Sequence, residues 1–287
     1  MKKCPYCSGS GTLYFGINSR RYFRCFACDL IYQTSSRSYY DVVATYRKEY
    51  FGRYSADQLQ GGRNKLHDHI LEKIAGNSGG GSLLDVGTGC GHFLLMAHRR
   101  GWQVQGIEPS LQSAQMAREQ DSLNVFYGTL DKYCGSALFD LITFINVLDH
   151  SAMPWVEISR ANELLRPGGL IYLRFPNGFF HSEIYRMSQK ARLSKSLRKF
   201  LVFHIYSFTP RYIRKLLSDH GFSQIKILNS PPSFGDPHEI FPSPIFASCV
   251  KRVIYFIAKF TEKMSRGRSF IGTSLEVTAV KSENPHN

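Results

Sequence analysis

Leu83-Leu84-Asp85-Val86-Gly87-Thr88-Gly89-Cys90-Gly91-His92-Phe93 is the stretch on which the fold turns. An apolar run stops at an aspartate, glycines follow at alternate positions, and a helical pattern begins. This is the signature of a buried strand ending in a tight turn, where missing Cβ atoms let a ligand touch backbone. Seventeen residues beyond Gly91, a second strand pattern, Val104-Gln105-Gly106-Ile107, ends at Glu108-Pro109. A carboxylate there is placed to take both hydroxyls of a ribose, as in dinucleotide folds. Gly-x-Gly-x-Gly alone marks nothing more than a turn. The strand before it, the helix after it and the acid at the next strand's end make it a ligand loop.

The nicotinamide fingerprint, Gly-x-Gly-x-x-Gly/Ala, needs a small residue at position 92, where histidine stands. The segment instead resembles motif I of the class I S-adenosylmethionine-dependent methyltransferases. That resemblance implies cofactor contacts from Asp85, Gly87, Gly89 and Gly91, with Glu108 and Pro109 at the ribose. It further places Leu130-Asp131 beside the adenine and Asn146 at the methionyl end.

Further along, Phe139-Asp140-Leu141-Ile142-Thr143-Phe144-Ile145 is nearly continuous in apolar residues, as a parallel strand covered on both faces must be. It leads into Asn146-Val147-Leu148-Asp149-His150. A helix is predicted from about Pro154 to Leu165, breaking at Arg166-Pro167-Gly168-Gly169, with a strand from Leu170 to Phe175. This run is similar to the matching region of the ubiquinone-biosynthesis O-methyltransferases, and the similarity extends over most of residues 40–280. The fold class it implies is α/β: a Rossmann-like, seven-stranded methyltransferase sheet. Strand candidates Phe222–Leu228 and Ser274–Val280 would close it as an antiparallel pair, around a helix from Arg211 to His220 capped by Thr209 and stopped by Gly221.

Cys4-x-x-Cys7 and Cys25-x-x-Cys28, seventeen residues apart, have the double-knuckle spacing of a zinc ribbon. Four thiolates close a tetrahedral site with no position left for substrate, so the metal is expected to be structural. About thirty residues cannot bury enough apolar surface to fold unaided, and a metal supplies the missing free energy. The alternatives are a disulfide pair, disfavoured in a reducing compartment, and an iron–sulfur cluster, for which the spacing offers no support. Cys90, Cys134 and Cys249 are scattered. A similar ribbon precedes bacterial sugar C-methyltransferases, which carry a further carboxy-terminal domain for which this chain has no room.

The 287 residues, 43% hydrophobic, suffice for one large domain plus a small module. We expect a ribbon at 1–35, a helical and aromatic cover and linker at 36–81, and the methyltransferase domain at 82–287. Within the cover lie Tyr39-Tyr40, Tyr46, Tyr50-Phe51 and Tyr54, a helix from about Arg63 to Ile74, and a Gly76–Gly81 joint. Arg63 is a candidate partner for the cofactor carboxylate. Met1-Lys2-Lys3 enters the first knuckle with no apolar leader, and no stretch reaches the roughly 18 apolar residues that span a bilayer. The expected location is the cytoplasm.

Two insertions, at about 178–203 and 231–270, form lids after the strand ends where ligands bind in open α/β sheets. The first gathers Arg186, Lys190, Arg192, Lys195, Arg198 and Lys199. The second repeats Phe246, Val250, Val253, Ile257, Phe260 and Met264 at helical spacing among Lys251, Arg252, Lys259, Lys263 and Arg266. Three readings stand: a peripheral membrane contact, a site for an anionic substrate, or a solvated basic lid. A formal charge of +14 also raises RNA as the substrate. Against RNA, no Asp/Asn-Pro-Pro-Tyr/Phe follows the fourth core strand; Asn146-Val147-Leu148-Asp149 stands there.

The expected function is methyl transfer from S-adenosylmethionine to oxygen or carbon of a small-molecule acceptor that is sugar-, lipid- or quinone-like. A noncatalytic cofactor-binding module is the alternative from another class. A hydroxyl acceptor calls for a general base, and His150, just past the strand after which acceptors bind, is the candidate. His92, His181 and His204 are weaker ones.

Overall fold

The apolar runs read from the sequence become the middle of a seven-stranded sheet. The computed structural model describes residues 1–17, 20–34, 63–75, 80–120, 122–191, 201–233 and 244–283, with 244–248 as backbone only. The aromatic cover at 36–62, most of the Gly76–Gly81 joint, the cations at 192–199 and the Phe246 side chain lie outside what is described.

Four short strands come first, β1 (Lys2–Lys3), β2 (Ser10–Ile17), β3 (Arg20–Cys25) and β4 (Ile31–Gln33), then helix α1 (Asn64–Ala75). The parallel core follows: β5 (Ser82–Val86), α2 (His92–His98), β6 (Gln103–Glu108), α3 (Leu111–Glu119), β7 (Val125–Tyr127), β8 (Phe139–Ile145), α4 (Pro154–Leu164) and β9 (Leu165–Pro176). The remainder is α5 (Gly178–Lys190), β10 (Tyr206–Ser207), α6 (Pro210–Asp219), β11 (Phe222–Asn229), α7 (Pro244–Met264) and β12 (Ser274–Lys281).

The large sheet runs β11-β12-β9-β8-β5-β6-β7. Strands β5 to β9 pair in parallel, while β12 lies antiparallel to both β9 and β11. Leu83, Leu84, Ile142, Phe144, Ile171 and Leu173 are fully buried, because helices cover both faces. The chain leaves β5 for β6 on one side and returns to β8 on the other. That reversal opens a crevice at the carboxyl ends of β5 and β8.

One boundary differs from expectation. Strand β9 begins at Leu165, which pairs with Phe139, and Leu170 pairs with the next-but-one residue, Leu141. Arg166–Gly169 therefore loops out of a continuous strand as a bulge, with Gly168 at φ 73°, instead of separating a helix from a later strand. Helix α6 is capped as its sequence requires: the Thr209 hydroxyl accepts from Tyr212 N at 3.1 Å, and Gly221 turns at φ 78°.

The cysteine strands make a second sheet, β1-β2-β3-β4-β10, whose last strand comes from the distant segment Tyr206–Ser207. Tyr32 pairs with Tyr206 and Ile31 with Ser207, and Gln33 N donates to Ile205 O at 2.9 Å. Leu30, Tyr32 and Phe23 share a hydrophobic cluster with Phe208, Tyr212 and Leu217. A module this small thus completes its core with surface lent by the larger sheet. From the first insertion, α5 packs on the same hairpin: Phe15, Tyr22 and Tyr185 cluster, and Tyr185 OH donates to Gly16 O at 2.7 Å.

Candidate active site and metal centre

Gly87, Gly89 and Gly91 all have left-handed φ values of 73°, 59° and 82°. A Cβ at Gly87 would lie 2.5 Å from Val147 Cγ2, so any side chain there would be both strained and blocked. The turn bends the backbone toward Glu108. The Glu108 carboxylate accepts from Gly89 N at 2.8 Å and from Ser110 N at 2.8 Å. Burial pushes its pKa up to about 7, against the pull of those two hydrogen bonds. Asp85, beneath the turn, accepts from the Thr143 hydroxyl at 2.6 Å and is likewise pushed by burial to about 7. Pro109 leads from Glu108 into α3, and Leu130, buried, and Asp131 lie in a single 3-10 turn after β7.

Asn146, the residue directly after β8, has φ 57°, a conformation uncommon outside glycine and concentrated at functional sites. Its Oδ1 accepts from Arg174 Nη1 at 2.5 Å, and its N–H donates to Arg174 O at 2.8 Å. Arg174 is 2% exposed and also donates to Ser230 Oγ and to Pro231 O, both at 3.0 Å. Sequence reasoning passed over this residue, though a charge inside Leu170–Phe175 is a readable signal.

One 3-10 turn beyond Asn146, Asp149 is buried, and neither carboxylate oxygen makes a hydrogen bond to the described residues. His204 Nε2 lies 3.3 Å and His150 Nε2 3.7 Å from Asp149 Oδ2, and the two imidazole centroids are 3.8 Å apart. Burial pushes His150 down to about 4, so the ring is neutral at physiological pH. Burial also raises Asp149, with the His204 charge opposing it. His204, separated from His150 by 54 positions of sequence, is brought to it through the β4–β10 pairing next door. The other two histidines have packing roles: His92 Nε2 bonds Asn64 Oδ1 at 2.5 Å, and His181 Nε2 bonds Thr273 O at 2.9 Å.

The parallel topology puts the glycine turn, Glu108, Asp131, Asn146 and the His150–His204 pair at one edge of the sheet. The glycine turn, Glu108 and Asp131 thus follow β5–β7, and the titratable cluster follows β8.

The four knuckle cysteines converge separately. Cys4 Sγ is 3.6 Å from Cys28 Sγ, and Cys7 Sγ is 3.5 Å from Cys25 Sγ. Sulfurs on a tetrahedron of radius about 2.3 Å lie about 3.8 Å apart, so this donor set fits one thiophilic ion. Among the described residues all seven cysteines are free of disulfides. Tyr32, over the cluster, is pushed by burial to about 12.

A family model for the methyltransferase domain matches residues 58–227. The chain belongs to the methyltransferase domain family. Among curated proteins it is 30% identical over 120 residues to the ubiquinone biosynthesis O-methyltransferase of Actinobacillus pleuropneumoniae serotype 5b, covering 38% of this chain and 51% of that one. The enzyme of the same name from Leptothrix cholodnii is 30% identical over 118 residues, covering 38% and 50%. The chain therefore spans about half the length of the curated relatives it matches. Its fold is that of solved methyltransferases. A SAM-dependent methyltransferase from Thermotoga maritima superposes with a TM-score of 0.54 at 15% identity, covering 84% of this chain and all of that one. Magnesium protoporphyrin IX methyltransferase from Synechocystis PCC 6803, solved with bound SAM, gives 0.52 at 15%, covering 87% and 99%.

Proposed function

We propose that this methyltransferase-family protein moves the methyl group of S-adenosylmethionine to a hydroxyl of a small-molecule acceptor, with His150 as general base. We propose further that Cys4, Cys7, Cys25 and Cys28 hold a structural zinc. The observation carrying the first reading is the neutral His150 set with His204 beside the buried Asp149, just past Asn146. The name of the curated relatives, O-methyltransferase, favours oxygen as the acceptor atom.

Glu108 takes the ribose hydroxyls, the backbone of Gly87, Gly89 and Gly91 approaches the nucleoside and methionyl portions, and Leu130-Asp131 flanks the adenine. Asp85 braces the glycine turn from below and Pro109 starts the helix beside it. Asn146, locked by Arg174, faces the methionyl end. The bound cofactor supplies an electrophilic sulfonium methyl. The chain therefore has to align the acceptor oxygen with that methyl and receive one proton. The acceptor's O–H proton would pass to the neutral His150 imidazole as the oxygen–methyl bond forms. The Asp149 carboxylate stabilises the resulting imidazolium, and the products are the methyl ether and S-adenosylhomocysteine.

The test is His150→Ala assayed against hydroxylated and carbon acceptors. Turnover on the hydroxyl acceptor should drop by roughly 10²–10⁴-fold with cofactor affinity unchanged. Full turnover in the variant would remove the base, and methyl incorporation only at carbon would remove the acceptor class.

A further inference from the structure

Helix α7 leaves a stripe of large apolar side chains in solvent. On the side packed against the fold, Ala258 is fully buried, Ile254 and Tyr255 are partly buried, and buried Glu262 accepts from Asn229 N at 2.7 Å and from Asn229 Nδ2 at 2.8 Å. Five further large apolar side chains point the other way. Val253 is 57% exposed, Phe256 69%, Ile257 51%, Phe260 66% and Met264 70%. These positions fall at i, i+3, i+4, i+7 and i+11, which is one continuous stripe on a helix. Arg252, Lys259 and Lys263, spaced at i, i+7 and i+11, run along one edge of that stripe, Lys259 paired with Glu262 Oε1. Arg266 and Arg268 continue the charge past the helix end, both exposed.

We propose that α7 is a membrane-surface helix, lying in the interface of an anionic bilayer with Val253, Phe256, Ile257, Phe260 and Met264 in the acyl boundary. This goes beyond the reading of the methyltransferase site and does not depend on it. Charge complementarity selects the occupant. Glu262, the sole acid of the helix, is buried against Asn229 and pairs with Lys259, so beside the exposed apolar stripe stand only cations, among them Lys263, Arg266 and Arg268. A second copy would bring the same cationic face and a further +14 of formal charge against it. A nucleic acid would meet the cations and leave the phenylalanines and methionine in water. Phosphatidylglycerol or another anionic lipid satisfies both halves of the surface at once. No helix among the described residues is long and apolar enough to cross a membrane, so α7 lies on the bilayer and does not span it.

The full chain should be floated with vesicles of 30 mol% phosphatidylglycerol in phosphatidylcholine, as a chosen test composition, and with vesicles of phosphatidylcholine alone. We expect co-flotation with the anionic vesicles, weaker recovery with the neutral ones, and release on raising the salt. Phe256→Glu/Phe260→Glu should lower partitioning by at least about tenfold, since each ring withdraws a large apolar area from water. Lys263→Glu/Arg268→Glu, which leaves the stripe intact, should abolish the preference for anionic lipid while retaining the circular dichroism of the parent. Absence of flotation, flotation indifferent to both variants, or a protein that sediments as a dimer until Phe256 and Phe260 are replaced would each overturn the proposal.

Discussion

Glu108 and Gly89, nineteen residues apart, are joined by a carboxylate-to-backbone hydrogen bond of 2.8 Å that ties the end of β6 to the turn after β5. The acid thus holds the glycine turn, in addition to the ribose role proposed for it. Glu108→Ala should weaken S-adenosylmethionine binding by about 1–3 kcal/mol, roughly five- to 150-fold, because the ribose hydroxyls and Gly89 N lose their acceptor together. Binding should also depend on pH. With the carboxyl held near 7 by burial, affinity should fall as the pH drops below that value and the acceptor becomes protonated. Titration calorimetry from pH 6 to 8.5 reads both effects, and a flat profile in the parent protein would dissociate Glu108 from the ribose.

Asp149→Asn keeps the size of the side chain and removes its charge. With Asp149 Oδ2 within 3.7 Å of both histidines, that change should lower turnover by about 10²-fold or more while leaving cofactor affinity intact. His204→Asn should have a smaller effect in the same direction. Equal activity across pH 6–9 in all three proteins would demote the cluster to packing.

Purified protein should contain one zinc per chain. Cys25→Ser, or removal of metal by a chelator, should unfold β1–β4, a loss visible in the near-ultraviolet circular dichroism of the ribbon tyrosines. Because β4 hydrogen-bonds β10 and Gln33 N bonds Ile205 O, the disturbance should reach His204 next to it. Turnover should therefore suffer more than S-adenosylmethionine binding, which rests on β5 to β7. Iron in the elemental analysis, or binding and turnover lost in parallel, would contradict this account.

Glu276 on β12 accepts from Lys73 Nζ at 2.8 Å and Tyr172 OH at 3.0 Å, and lies 3.2 Å from His69 Nε2. Burial works to raise its pKa, but the His69 hydrogen bond and the Lys73 charge prevail and hold it at about 2. A depressed carboxyl stabilises the fold above its unfolded pKa, and that contribution disappears as the pH falls from about 4.5 toward 2. Glu276→Gln should therefore cost about 2–3 kcal/mol at pH 7 and progressively less in acid. Urea melts at pH 7 and pH 3 give the difference, and an equal loss at both would point to packing instead of charge.

Much of the chain was legible because its decisive features are local. Alternating glycines after an apolar run, an acid at the end of the next strand, and Cys-x-x-Cys pairs each record a backbone or ligand requirement within a few residues. The long parallel strands were legible for the same reason, since burial on both faces demands an unbroken apolar run. Leu165–Gly169 reads in sequence as a helix end and turn but is part of a bulged strand. Pro-Gly-Gly writes the same local pattern for a strand bulge, and only the pairing of Leu165 with Phe139 distinguishes them.

The sequence by itself determined the methyltransferase sheet, the glycine turn with Glu108, and the four sulfur donors. Tertiary structure decided the rest. Docking of Tyr206–Ser207 onto β4 carries His204 to Asp149 and His150, joining groups more than fifty positions apart. The direction of α7 was decided likewise: its periodicity shows an apolar face, but the Asn229–Glu262 hydrogen bonds set that face outward. Spacing along a chain records which residues share a face, whereas which face is buried depends on what the rest of the fold places against it.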